Sequence, residues 1–311
     1  MNILVTGAGG FVGSTLINTL SRIDSLNLTC ALNVGGKSNI SFSHKTYELD
    51  LNSDWSEAMN DQNVVVHTAA RVHIMKDSHL DPLSEYRKVN VEGTLNIAKY
   101  ALRSKVDRFI YISSIKVNGE NTNARGPFTE DDYPDPQDPY AVSKLEAEEA
   151  LKEIFKNTNM ELVIIRPSLV YGLRGKGNLQ LLAEAIKRRF PLPLKSINNS
   201  RSFISIDNLV DLIAICITSP AAKNEVFLAS DNEKLSTHDL IKVISSALGK
   251  SAICFPFPRL GLVFAGKVLK KSDLVDRVIG SLEINNSKAK ELLSWNPKVN
   301  SHKGIYECFK E

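Results

Sequence analysis

Three glycines spaced three apart, immediately behind a short apolar run at the start of the chain, restrict the possible folds more than any other stretch. Thr6-Gly7-Ala8-Gly9-Gly10-Phe11-Val12-Gly13 follows Asn2-Ile3-Leu4-Val5 and leads into an amphipathic pattern, the order strand, tight turn, helix. The spacing is G-x-x-G-x-x-G, because a G-x-G-x-x-G alignment would put its last glycine at Val12. Glycine lets the backbone turn sharply and approach a pyrophosphate, while the N–H groups and dipole of a helix start favour its charge. A dinucleotide held around Gly7, Gly10, Phe11, Val12 and Gly13 is the expectation; the plain alternative is a turn and nothing more.

The rest of the first half keeps the rhythm that this turn opens. Short β-branched runs at 3–6, 28–32, 64–67, 108–113 and 162–166 alternate with helical patterns that start near Phe11, Ser53, Pro82, Tyr140 and Leu179. The strands are apolar on both faces, so helices must cover both sides of a parallel sheet. The expected fold is therefore α/β, a Rossmann-type doubly wound parallel sheet. Past Tyr171 the rhythm breaks at Gly172, Gly175, Gly177 and Pro191-Leu192-Pro193, where a smaller α/β substrate-binding lobe is expected. The first domain is expected to hold residues 1–172 and about 201–218, and the lobe 173–200 and 219–311.

Composition excludes several classes. The chain of 311 residues is 43% hydrophobic and 23% charged, too apolar for disorder. Its 38 basic and 35 acidic residues leave a net charge of only +3, which argues against a nucleic-acid partner. Cys30, Cys216, Cys254 and Cys308 are scattered, without a CxxC pair or a histidine at zinc-ligand spacing, so no metal is expected and the cysteines read as reduced residues of a cytoplasmic protein. The opening has no signal-peptide pattern and no run reaches membrane-spanning length. Residues 258–271 carry an apolar stripe with basic ends; this reads as a helix packed in the second lobe, with no stable membrane insertion.

Tyr140 and Lys144 stand one helical turn apart, on one face of a helix that begins near Asp138 or Pro139. A lysine ammonium beside a phenol lowers its pKa and makes it usable as a proton shuttle, which hydride transfer at an oxygen-bearing carbon requires. Ser113-Ser114 ends the strand before it, at the carboxyl edge of the sheet, where ligands of open α/β sheets bind. About 20 residues past the glycine turn, where an acidic residue would hold a ribose 2′-hydroxyl, the chain has Leu32-Asn33-Val34. Asn33, Lys37 and Ser38 either accept a 2′-phosphate or form a loop, so the cofactor is NAD or NADP.

Together with Asp50-Leu51, His67-Thr68-Ala69-Ala70, Asn90-Val91-x-Gly93-Thr94, Arg166-Pro167-x-x-Val170-Tyr171-Gly172 and Arg201-Ser202-Phe203-Ile204, these motifs resemble the extended short-chain dehydrogenase/reductase family, in particular its nucleotide-sugar 4-epimerases and 4-ketoreductases. The resemblance implies that Asp50 and Leu51 flank the adenine and that Ala69, Ala70, Asn90 and Ser113 line or support the cofactor site. It makes Ser114 the group that orients the reacting oxygen, Tyr140 the acid or base, and Lys144 the partner of the nicotinamide ribose. It gives Asn178, Arg201 and Arg277 to the substrate diphosphate, with His73 and Lys116 beside the sugar, and suggests a homodimer built on helices near 82–103 and 140–155. Asn118, where the family often has tyrosine, and Arg71-Val72-His73 depart from the galactose epimerases and are expected to alter sugar recognition; this block looks like a subgroup among bacterial O-antigen enzymes. The implied substrate is a UDP-sugar. Two reactions stay open, transient oxidation at C4 by an epimerase or one-way reduction of a 4-keto sugar, beside a third reading as a silent cofactor-binding protein.

Overall fold

The computed structural model describes residues 1–33, 45–50, 53–72, 81–173, 175, 177–269 and 272–310. Seven parallel strands form the large sheet: β1 (Asn2–Thr6), β2 (Asn27–Leu32), β3 (Lys45–Glu48), β4 (Val64–His67), β5 (Arg108–Ile112), β6 (Glu161–Pro167) and β9 (Val226–Ala229). Their order, β3-β2-β1-β4-β5-β6-β9, reverses direction between β1 and β4, the doubly wound arrangement. Alternate residues of each strand go to opposite faces, and both faces are covered. Ile3, Val5, Val66, Ile110 and Ile165 face α1 (Phe11–Leu20) and α7 (Ile206–Thr218). Leu4, Val65, Phe109 and Ile164 face α2 (Ser56–Met59), α4 (Thr94–Arg103) and α5 (Pro139–Phe155).

A helix that reads as continuous over 82–103 is interrupted. α3 (Pro82–Arg87), capped by Asp81 through a 3.1 Å bond from Ser84 N, runs into a π-helical turn over Lys88–Gly93 before α4. That turn carries Asn90 into the interior, where it is 1% exposed. Such turns often mark functional positions.

The second lobe has a small sheet, β10 (Lys234–Leu235), β8 (Arg201–Ser205) and β7 (Leu169–Tyr171), packed under α6 (Asn178–Lys187), α8 (Thr237–Ala247) and α12 (Ser301–Phe309). α9 (Arg259–Val268) and α10 (Ser272–Ile279) make a helical hairpin, and α11 (Ser287–Leu293) returns to the large sheet, adding Ala289, Leu293 and nearby Trp295 to its core. Several segments differ from the expected division: Leu169–Tyr171, expected in the first domain, lies in the small sheet, and 287–295, expected in the lobe, packs on the large one. Val226–Ala229, expected in the lobe, pairs with β6 in the large sheet, and Arg201–Ser205, expected in the first domain, pairs with β7 and β10. Short strands with few residues give no periodicity by which to choose a sheet. The stripe in 258–271 is also divided: Leu262 packs inward, while Leu260, Phe264, Val268 and Leu269 are exposed.

Candidate functional site

The carboxyl ends of β1, β4 and β5 meet where the strand order reverses. Gly7 has φ +68°, and a Cβ there would lie 2.6 Å from Ala69 N, so the turns after β1 and β4 touch. A Cβ at Gly13 would lie 2.3 Å from Gly7 O, which leaves only glycine able to seat α1 this close to the turn. α1 starts behind Gly10 with no side-chain cap and no acidic residue in its first turn, so the positive end of its dipole is left for an anion. Phe11 touches the loop after β7, since a Cβ on Gly172 would be 3.0 Å from its ring. These features fit a dinucleotide phosphate.

Other expected cofactor residues are placed unevenly. Ala69 and Ala70 are half-buried beside the turn, Val12 is half-buried in α1, and Asn33 is exposed at the end of β2. Asp50 is exposed and accepts a 3.1 Å bond from Ser53 Oγ. Lys37, Leu51 and His73 lie outside the described residues. Asn90 works as a brace: its Oδ1 accepts from Arg71 N at 2.8 Å, and its Nδ2 donates to Arg71 O at 3.1 Å and to Ser143 Oγ at 3.0 Å. The segment after β4 is thereby tied to α5 between Tyr140 and Lys144. His67, the packed residue its sequence context suggests, stands 2.6 Å from Thr6 Oγ1 and 2.9 Å from Thr94 Oγ1. Burial, and then the charge of Lys144, drive its pKa down to about 3, so it stays neutral.

α5 presents Tyr140 and Lys144 on one face. Asp138 caps it, accepting from Ala141 N at 2.7 Å, and Pro139 occupies its first position, which orients the first turn holding Tyr140. Tyr140 is half-buried, 6.0 Å from the Tyr86 ring in an edge arrangement, and the Ser114 hydroxyl, near its phenol, works against the rise that burial gives the phenol's pKa. Lys144 is 2% exposed, donates to Ile112 O at 2.8 Å and sits 4.6 Å from the centre of the Tyr111 ring. The expected lowering of the phenol pKa by lysine is not what the geometry gives. Burial raises Tyr140 despite Ser114, and burial lowers Lys144 to about 7, with Glu148 pulling the other way. Desolvation thus weakens Lys144 as a cation.

On the substrate side, three expected cations do converge. Lys116 donates to Glu120 at 2.6 Å and also to Asp138, and Arg277 of α10 lies 3.8 Å from the same Asp138 carboxylate. Arg201 donates to Gly280 O at 2.9 Å; burial, countered by Glu120 and reinforced by the repulsion of Arg277, lowers its pKa to about 10. Asn178 starts α6, half-buried.

Residues 3–229 match the model of the NAD dependent epimerase/dehydratase family. The chain belongs to this family. It is 41% identical over 98% of its length, and over 93% of the relative, to a UDP-glucose 4-epimerase of Vibrio cholerae. It is 29% identical over 84% of its length, and 77% of the relative, to the N-acetyl-alpha-D-glucosaminyl-diphospho-ditrans,octacis-undecaprenol 4-epimerase of Escherichia coli O157:H7. Among solved structures, the UDP-glucuronic acid 4-epimerase of Bacillus cereus, in complex with UDP-glucuronic acid and NAD, superposes with a TM-score of 0.81 at 25% identity, covering 99% of both chains.

This family member also holds a buried network that the motifs did not announce. Glu148, fully buried on α5, accepts from Arg166 Nε at 2.9 Å, from Arg166 Nη2 at 2.6 Å and from Ser113 Oγ at 2.5 Å. Arg166 Nη1 donates to Asn118 Oδ1 at 3.0 Å, and Asn118 Nδ2 donates to Thr129 O at 2.9 Å. The Ser113 hydroxyl is turned inward to a carboxylate, and Asn118, 1% exposed, links Arg166 to the backbone of Thr129. The signal available was periodicity: Glu148 is one turn beyond Lys144 on the inward face, where a carboxylate needs a buried cation.

Proposed function

We propose that the chain interconverts UDP-sugars that differ at C4, using NAD. The observation that carries this reading is the placing of Ser114, Tyr140 and Lys144 at the carboxyl edge of the sheet, with Arg201, Arg277 and Lys116 gathered near Glu120 and Asp138 at the start of the Tyr140 helix. Identity of 41% with a UDP-glucose 4-epimerase supports the substrate class.

In this reading the turn at Gly7, Gly10 and Gly13 would hold the NAD pyrophosphate, Asp50 would stand towards the adenine and Lys144 towards the ribose. The chemistry that bound NAD supplies is reversible hydride exchange at sugar C4, without net redox change. As the phenolate, Tyr140 would take the C4 hydroxyl proton and return it after the sugar has presented its other face. Ser114 donates a hydrogen bond to the same oxygen and keeps it against the phenol as charge develops. The Lys144 ammonium is regained more readily when it has polar partners than when it is desolvated against Tyr111 and Ile112 alone. Arg201 and Arg277 repel each other, and a diphosphate between them would relieve that repulsion.

The test is purified protein with UDP-galactose and no added nucleotide. UDP-glucose should form with no net change at the nicotinamide absorbance, and Tyr140→Phe should lower kcat by about 10²- to 10⁴-fold. Turnover confined to a 4-keto sugar, with nicotinamide consumed one for one, would replace this reading by that of a reductase.

A further inference from the structure

α9 leaves a row of large apolar side chains in the open. Leu260 is 84% exposed, Phe264 70% and Val268 64%; spaced four apart, they form one helix face, and Leu269, 66% exposed, continues it. The opposite face is already used. Leu262 joins the cluster of Ile197 and Ile279, and Gly266 meets α10 so closely that a Cβ there would be 2.8 Å from Val275. The outward row therefore has no core left to enter. Isolated exposed hydrophobes are ordinary, whereas a contiguous row rimmed by charge marks an interaction surface.

The row continues onto a neighbouring segment. Leu192 N donates to Ile253 O at 2.7 Å and Phe255 N to Leu192 O at 3.0 Å, which sets 190–195 beside 253–255 and leaves Phe190, Ile253 and Phe255 exposed. Phe255 meets Phe257 with ring centres 6.4 Å apart, and Phe257 lies against Gly261 of α9. Charge around this surface is mainly positive. Residues 185–199 and 249–269 contain seven lysines and arginines and no aspartate or glutamate, with Glu184 beside Arg188 and Asp276 on α10 at its margins, in a chain whose whole net charge is +3. Arg259 and Lys267, on α9 itself, and Lys195, beside Phe255, are exposed.

We infer that the second lobe docks on the anionic face of a phospholipid bilayer through the outward side of α9 and the adjoining Phe190, Ile253 and Phe255. Apolar residues enter the headgroup boundary while surrounding cations pair with anionic lipid, as an interfacial amphipathic helix does. A second copy of the chain fits less well, since each copy would bring the same excess of positive charge to the contact. The helix lies along the membrane and does not cross it: α9 has 10 residues, about 15 Å at 1.5 Å each. This surface is separate from the site at the carboxyl edge of the sheet, and docking is independent of which sugar that site takes.

The test is flotation of the full-length protein with vesicles of phosphatidylcholine containing roughly a third phosphatidylglycerol. Binding is expected to anionic vesicles and not to phosphatidylcholine alone, and to fall as salt is raised from about 0.1 M to 0.5 M. The triple change Leu260→Ser, Phe264→Ser, Val268→Ser should cut the bound fraction at least ~10-fold. Arg259→Gln with Lys267→Gln, which alters only exposed positions, should weaken binding roughly fivefold for each cation removed. Thermal melting of each variant checks that it is folded. The inference is overturned if the wild-type protein stays unbound, if it binds neutral vesicles equally, or if both variants bind as it does. Concentration-dependent self-association that disappears in the triple variant, without vesicle binding, would overturn it in favour of a second copy of the chain.

Discussion

Lys144→Met should give a protein that is more stable than the wild type at neutral pH and inactive. Burial brings the Lys144 pKa from 10.5 to about 7. Between those values the unfolded chain holds a proton that the folded chain lacks, so folding has to expel it, and wild-type stability rises with pH through this window. Below about pH 7 both states are protonated and the penalty is full; above 10.5 neither is, and the penalty is gone. At about 1.4 kcal/mol per unit, the cost at pH 7 is roughly 4 kcal/mol. Against this, the variant loses the bond to Ile112 O and the contact with the Tyr111 ring, roughly 2 kcal/mol together. Methionine has a similar volume and packs without a charge. The variant should therefore gain ~2 kcal/mol at pH 7 and lose about 3 kcal/mol of that difference by pH 10, so that the order reverses. Cys30 and Cys216, whose buried thiols are pushed up to about 12, lower stability as pH rises above 9, but equally in both proteins. Urea unfolding of both proteins at pH 7, 8.5 and 10 measures the difference. A variant less stable at pH 7, or a gap that does not change with pH, would refute the idea that desolvation of Lys144 is what the fold carries for this site.

Three further outcomes follow from named contacts. Gly13→Ala puts a methyl 2.3 Å from Gly7 O and should abolish retention of NAD, measured by nucleotide release from heat-denatured protein; normal retention would mean the turn is not the phosphate site. Glu148→Gln leaves the Arg166 charge buried and half-paired and should cost about 3–5 kcal/mol in urea unfolding, with a loss under 1 kcal/mol arguing against the network. Arg277→Ala should raise KM for UDP-galactose about 10- to 100-fold with kcat nearly unchanged, and a pure kcat effect would place Arg277 away from the diphosphate.

How far such contacts can be read from sequence depends on whether they are local. The glycine turn, the five strands expected in the first half and the Tyr140–Lys144 spacing are set within a few residues, and the fold reproduces each nearly as written. β3, with the sequence Lys-Thr-Tyr-Glu at the sheet edge, has no apolar alternation to announce it. β9 is four residues long and is told from a lobe strand only by its pairing with β6. The site divides in the same way. Tyr140 and Lys144 are recognisable by their spacing, but the consequences of that spacing are not, because desolvation depends on Tyr111, Ile112 and His67, which reach the lysine from other strands. Asn118 shows the converse: its sequence context, close to Ser114, points only to the sugar pocket, while the fold also makes its side chain complete the Glu148–Arg166 network beneath α5. That network holds Ser113 inward at the strand end that must also offer Ser114 outward to Tyr140. Successive residues of an extended strand point to opposite sides, so fixing the first hydroxyl to a buried carboxylate fixes the direction of the second. The buried ion pair is thus part of how the Ser114 hydroxyl is aimed, and a change at Glu148 should disturb Ser114 and Tyr140 without touching either.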